Sequence, residues 1–218
     1  MPRMDLNVPF AEKDDAKRLG ARWDAQRKTW YVPDGVETSV FWRWINATAE
    51  IDVWAPHYFI AESRKHCWKC RAPTRVYGLV LPDSHQTVNP DSENSSEDTW
   101  FQFGEPTILI YVTALLPSVA ARMAAMTRHY RIDFSKTVGG SYWMNHCEAC
   151  GMKQGDFELY CEPTGAFFPM SEHDATQIVL HGCAEPFGGC ADTSYGDHFF
   201  ESMRQVPPRL PLITGTVD

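Results

Sequence analysis

KHCWKCR, residues 65–71, and NHCEACG, residues 145–151, carry one phrase twice: a histidine, a cysteine, two spacer residues and a second cysteine. The copies stand 80 residues apart, far beyond the reach of a tandem finger. A CxxC turn brings two sulfurs to one ion, because the backbone between them curls and its amides can donate to the thiolates. Structural zinc takes four such ligands in a tetrahedron, so two turns complete one shell. Cys67, Cys70, Cys147 and Cys150 are therefore assigned to a single structural Zn2+. Gly151 suits a backbone that turns sharply after the last sulfur. Each turn precedes a β-rich run, TRVYGLVL (74–81) and DFELYCE (156–162), which is the layout of a zinc ribbon built from two hairpins. The residues between the turns then form a large insertion whose ends the ion fixes.

Other readings of the same residues are weaker. Redox CxxC pairs belong in a βαβ setting, and the sequence offers none. His66 and His146 each adjoin an assigned cysteine, so ligation by both neighbours would be strained, and they are placed outside the shell. Cys161, Cys183 and Cys190 default to buried free thiols. A second site from His181, Cys183, Cys190 and His198 is the alternative.

Seven cysteines among 218 residues, an odd number with four of them in CxxC pairs, argue against a secreted disulfide framework. The opening MPRMDLNVPF has no apolar leader, and no apolar run reaches the roughly 18 residues of a membrane span. A soluble, cytoplasmic protein without membrane contact is expected. With 44% hydrophobic residues, the chain can bury a core. Its net charge of −8 is unevenly spread. Residues 61–78 hold five basic residues and one acidic, 79–110 six acidic and none basic, and 147–218 eleven acidic against three basic. A basic region thus surrounds the first CxxC.

Along the chain, residues 5–8 and 28–32 suggest strands flanking a helix over 11–19, with Phe10, Ala16 and Leu19 facing its core. Asp14 and Arg18 have i,i+4 spacing, and Gly20 fits a left-handed cap. A second helix is expected over 38–45. The connector 47–64 leads to the first CxxC. Residues 82–99 form a polar, acidic loop, 107–112 a buried strand, and 117–130 an amphipathic helix with Pro117 in its first turn. Two strands flank Gly139-Gly140. Ser171 and Asp174 suggest a capped helix running to about His181, and the proline-bearing tail is irregular. The fold class is α+β: a small β-α-β-α module (1–46) packed on a zinc-ribbon-like β domain (65–165) with a large insertion, then a helical or irregular extension (166–218).

Within residues 6–35, Asn7-Val8-Pro9, Glu12-Lys13, Ala16-Lys17, Leu19-Gly20-Ala21-Arg22-Trp23-Asp24 and Lys28-Thr29-Trp30-Tyr31 resemble a module known as domain of unknown function 5710. The resemblance implies nucleic-acid work in bacterial mobile elements, since such modules stand alone or attached to plasmid conjugative primases. It offers no catalytic residues. The residues themselves lend physical support, because cations beside flat rings can hold phosphates and stack bases. Arg18, Arg22, Trp23, Arg27, Lys28, Trp30 and Tyr31 are the candidates, extended by Arg64, Lys65, Lys69, Arg71 and Arg75 around the first CxxC.

The reading that follows is a non-enzymatic zinc protein of mobile-element or phage origin, binding DNA or RNA, single-stranded by preference. A protein-interaction or anti-defence factor using the acidic loop 82–99 is the rival. A metal-dependent nuclease of the His-Asn-His type, through Asn145-His146 or Asp197-His198, is the third. A zinc deaminase would need an H-x-E phrase as companion to a PCxxC turn. The H-x-E of this sequence, His146-Cys147-Glu148, lies within the second CxxC turn itself, and neither CxxC follows a proline. Phosphate-loop and GxSxG signatures are also missing.

Overall fold

The computed structural model describes residues 4–6, 8, 10–33, 36, 41, 44, 51–88, 100–194 and 199–208. The N-terminal part contains β1 (Met4–Leu6), α1 (Lys13–Arg18), β2 (Arg22–Asp24) and β3 (Thr29–Val32), with the strands antiparallel in the order β1-β3-β2. Leu6, Ala16, Ala21, Val32, Phe41 and Trp44 form its own small core. Glu12 accepts from the Trp44 indole at 2.6 Å. The chain turns back between α1 and β2 at Gly20, whose φ of 106° is open to glycine.

Most of the regular structure is sheet. β4 (Val53–Ala55), β5 (Tyr58–His66), β6 (Pro73–Leu81), β7 (Gln86–Val88), β8 (Trp100–Gln102) and β9 (Thr107–Leu115) precede α2 (Pro117–Met126). The hairpin β10 (Tyr130–Ser135) and β11 (Gly140–His146) follows, with β12 (Lys153–Gln154) beside β11. A π-helical turn (Phe157–Cys161), a short α3 (Glu172–Ala175), β13 (Val179–Cys183), β14 (Phe187–Ser194) and β15 (Arg204–Val206) complete the described chain. The large sheet has nine strands in the order β15-β13-β5-β6-β9-β14-β4-β7-β8.

That order forces curvature. Residues 184–186 alone link β13 to β14, which stand four places apart in the sheet. A flat sheet would separate them by about 19 Å, whereas the linker spans at most about 15 Å. Residues 56 and 57 tie β4 to β5, again four places apart, on a still shorter tether. The sheet therefore rolls, and the Tyr58 ring on β5 meets that of Phe187 on β14 at 5.6 Å. Alternate residues line its two faces, as the two-residue strand period requires. On one face Tyr58, Ile60, Tyr77, Leu79 and Leu109 pack with Val119 and Met123 of α2. On the other, Ala61, Val76, Val80 and Ile108 pack with Leu159 and Tyr160 of the π-helical turn and with Phe167.

Several expectations need correction. The N-terminal order is β-α-β-β, because Arg22–Asp24 pairs with β3 as a strand, and most of the helix expected over 38–45 lies outside the described residues. Phe10 and Leu19 are exposed, Phe10 lying beneath the Lys13 ammonium. Arg18 pairs with Asp15 rather than Asp14, at 2.8 Å. The segment 47–64 is no mere connector, since it supplies β4 and most of β5. Residues 156–162 form a π-helical turn: Leu159 and Tyr160, adjacent in sequence, are both buried, which a half-buried strand cannot arrange. The cap at Ser171 is present, its Oγ accepting from Asp174 N at 3.2 Å, but the helix stops at Ala175. The C-terminal region adds three strands, β13, β14 and β15, to the large sheet. The acidic loop contains β7, and residues 89–99 lie outside the described residues.

Candidate metal centre

Both CxxC phrases occupy hairpin turns, the first between β5 and β6 and the second between β11 and β12. Their backbones repeat each other bond for bond. Cys67 N donates to Ala72 O at 2.9 Å and Arg71 N to Cys67 O at 2.9 Å. In the second turn Cys147 N donates to Met152 O at 2.8 Å and Gly151 N to Cys147 O at 2.9 Å. Arg71 and Gly151, each following its second cysteine, have φ of 62° and 70°. The glycine adopts this left-handed geometry freely and the arginine against its Cβ.

The four sulfurs converge. Cys67 Sγ lies 3.8 Å from Cys150 Sγ, Cys70 Sγ 3.7 Å from Cys147 Sγ, and all four within 4.8 Å of one another. A disulfide requires about 2.05 Å. A tetrahedron with metal–sulfur bonds of about 2.3 Å has edges of about 3.8 Å. The four thiols could therefore hold one metal ion, and all four are free. Cys67 and Cys147 are buried, while Cys70 and Cys150 face solvent. Burial disfavours the Cys67 thiolate, yet amides of Cys70 and Lys69 and the neighbouring thiols hold it down to about 6. The Met152 amide favours a Cys150 thiolate, but hydrogen bonding with Cys70 and the other thiols, together with burial, pushes it up to about 12. Ionising every thiol in so small a volume calls for a compensating cation.

Polar contacts bind the two turns together around the sulfurs. Gln154 Nε2 donates to Cys67 Sγ at 3.4 Å, and the Trp68 indole to Lys153 O at 2.7 Å. Glu148, inside the second turn, receives Arg75 N at 3.1 Å and Arg75 Nε at 2.9 Å, while its own amide donates to Thr74 Oγ1 at 3.0 Å. Asn145 exchanges hydrogen bonds with both backbone groups of Tyr77, each at 2.7 Å. The buried His146 ring faces Asp133 Oδ2 at 3.0 Å through Nε2 and Met144 O at 3.0 Å through Nδ1. That imidazole, the Phe134 amide and Lys153 lower Asp133 to about 2. Asn145 and His146 are thus engaged in holding the structure. Sequence reasoning missed Thr74, Glu148 and Gln154 and read Arg75 only as part of a basic surface, since no spacing rule distinguishes a clamping glutamate from any other within a CxxC spacer.

Among the described residues, the four cysteines are the one cluster able to hold a metal. The alternative second set does not assemble: Cys190 Sγ donates to Asp52 at 3.0 Å, Cys183 Sγ to His181 O at 3.8 Å, and His198 lies outside the described residues, as does Asp197.

The nucleic-acid candidates fall in two places. In the N-terminal part, Trp23 and Trp30 are cross-strand partners in edge-to-face contact at 5.7 Å. Trp23 is 51% exposed, whereas Trp30 packs partly on the small core. Arg22 is exposed opposite Tyr31, on the other face of β2 and β3. Arg18, Arg27 and Lys28 are exposed, and Lys28 has a φ of 52°. Lys69 and Arg71 are exposed in the first CxxC turn, beside Trp68 at 46%.

Residues 3–46 match DUF5710, a domain of unknown function. Over 52 residues the chain is 54% identical to a DNA primase TraC of Escherichia coli, and over 47 residues 51% identical to another protein of that name from the same organism. These matches cover 23% and 22% of this chain but only 5% and 3% of those much longer proteins. No solved structure matches the chain. No helix among the described residues is long and apolar enough to cross a membrane.

Proposed function

We propose that this protein is a non-enzymatic zinc protein that binds single-stranded nucleic acid through its DUF5710 module, in the DNA-processing machinery of a bacterial mobile element. The observation that carries the reading is the module's identity, over half its residues, with segments of proteins named DNA primase. The module's surface suits the role. Trp23 offers a flat exposed ring, Arg27 and Lys28 in the turn between β2 and β3 supply charge, and Arg22 adds charge on the opposite face of the hairpin. The ion is zinc and structural. Four thiolates favour it, the sulfur spacing fits it, and a shell filled by four protein ligands leaves no position for a substrate or water.

The test is fluorescence anisotropy of a labelled single-stranded DNA with the full chain at several salt concentrations. Binding that weakens steeply with salt, and at least tenfold in an Arg22→Glu/Lys28→Glu variant, supports the reading. A wild-type chain that leaves the oligonucleotide free at low salt refutes it. The nuclease reading loses Asn145 and His146, both spent on buried contacts, while its other pair, Asp197-His198, lies outside the described residues.

A further inference from the structure

β13 begins at Val179, opposite Glu62, so beyond that pair the edge of β5 at Ser63 and Arg64 is left uncovered by β13. A cleft of about 520 Å³ opens there, lined by Glu62, Ser63, Arg64, Gln177 and Arg204 among others. It does not end at Arg64. That residue also lines a cavity of about 160 Å³ against Gly165 and Phe168, and one of about 200 Å³ against Thr74, Arg75 and Glu148. Arg64 is a wall common to all three hollows, which together make the groove.

Strand register places its arginines on one face. Arg204 is opposite Val179, Val179 opposite Glu62, and Arg64, two residues beyond Glu62, opposite Arg75. Partners across a ladder project on the same side, as do residues two apart. Arg64 and Arg75 therefore set like charges directly opposite each other, an arrangement that destabilises a sheet when nothing compensates it. The acids nearby are already engaged: Glu148 with Arg75 at 2.8 Å, Glu62 with His181 at 3.1 Å, and Asp174, which also lines the groove, with Ser171 Oγ at 2.9 Å and the Met170 amide at 3.2 Å. Arg64 and Arg204 are exposed and make no ion pair among the described residues. Ser63, Thr176 and Gln177 contribute neutral hydrogen-bonding groups to the same walls.

We propose that this groove seats the phosphodiester backbone of a single-stranded nucleic acid, with Arg64 and Arg204 as its phosphate ligands. The proposal rests on the nucleic-acid reading above and gives that ligand a second site, outside the DUF5710 module. Guanidinium forks match phosphate oxygens two at a time. An occupying phosphate also relieves the repulsion between Arg64 and Arg75. An open cleft with two uncommitted arginines suits a flexible charged strand better than an enclosed small-molecule pocket does.

The experiment compares full-length Arg64→Ala/Arg204→Ala with wild type and with Arg22→Ala/Lys28→Ala, by anisotropy of a labelled twelve-nucleotide single strand over a salt series. The groove variant is expected to bind at least tenfold more weakly. Its slope of log affinity against log salt should be shallower by about 1.4, the value for two lost phosphate contacts on a single strand. Arg64→Lys/Arg204→Lys should recover part of the affinity, which a variant that merely misfolds would not. If the groove variant matches wild type while the Arg22/Lys28 variant loses binding, the groove proposal falls and the function stands. If wild type binds no single strand, both fall. If Arg64→Ala/Arg204→Ala abolishes capture of an acidic peptide but not of the oligonucleotide, the groove belongs to a protein partner and the proposal is overturned.

Discussion

Asn145, two residues before the second cysteine pair, uses its side-chain amide as a substitute strand for Tyr77, accepting from the Tyr77 amide and donating to its carbonyl at 2.7 Å each. The hydroxyl of Tyr160 supports that carbonyl at 3.3 Å, so the amide depends on Asn145 more heavily than the carbonyl does. Asn145→Ala should lower stability by about 1–3 kcal/mol, the cost of leaving a buried donor unpaired. In urea titration the midpoint should drop with an unchanged slope. Bound metal should stay at wild-type stoichiometry.

The two CxxC turns offer a substitution pair of opposite sign. Gly151→Ala puts a Cβ at a φ of 70° and should destabilise by about 1 kcal/mol. Arg71→Gly, at a φ of 62°, removes a left-handed penalty of about 1–2 kcal/mol and adds unfolded-chain entropy of up to about 1. Its thermal midpoint should hold or rise. A clear fall would show that the Arg71 side chain does more than its backbone suggests.

Elemental analysis should find one zinc per chain. Cys147→Ser should lose it together with cooperative unfolding, because metal affinity in such sites is folding free energy. Calorimetry would show a broadened transition at a lower temperature. Retained zinc in Cys147→Ser would place the ion elsewhere.

Asp156 supplies the pH dependence. Burial pushes its carboxyl up to about 7, against the pull of the Tyr111 amide at 2.8 Å, and its second oxygen makes no hydrogen bond among the described residues. The folded state thus holds a proton that the unfolded chain releases near pH 4. Stability from this group is full below that pH and is lost as pH rises toward 7, by an amount on the order of 4 kcal/mol. Asp156→Asn should flatten the profile between pH 5 and 8 and be the more stable protein at pH 8. Denaturant midpoints across that range decide the matter.

What the sequence made legible was local chemistry. The cysteine spacing named the four thiols that meet, since a CxxC turn is defined within a few residues. Pro117 marked the start of α2, Gly139 the turn between β10 and β11, and Ser171 the cap of α3. Features that depend on distant partners were hidden. Leu159 and Tyr160 look like strand residues until Tyr77 and Phe167 are seen around them. β4, β13 and β15 are short runs whose strand character comes from their neighbours. The groove depends on Arg204 lying across β13 from Glu62, 142 positions away in the chain, and no periodicity reveals that.

The three-residue link between β13 and β14 also has a temporal meaning. As a ribosome releases this chain, β5, β6 and β9 are available long before β13 and β14, which alone cover the outer sides of β5 and β9. Until then the nascent chain carries two naked edges that invite intermolecular pairing. Both are closed almost at once when a single late clasp arrives, so premature termination before Val179 should yield material that needs chaperones or aggregates.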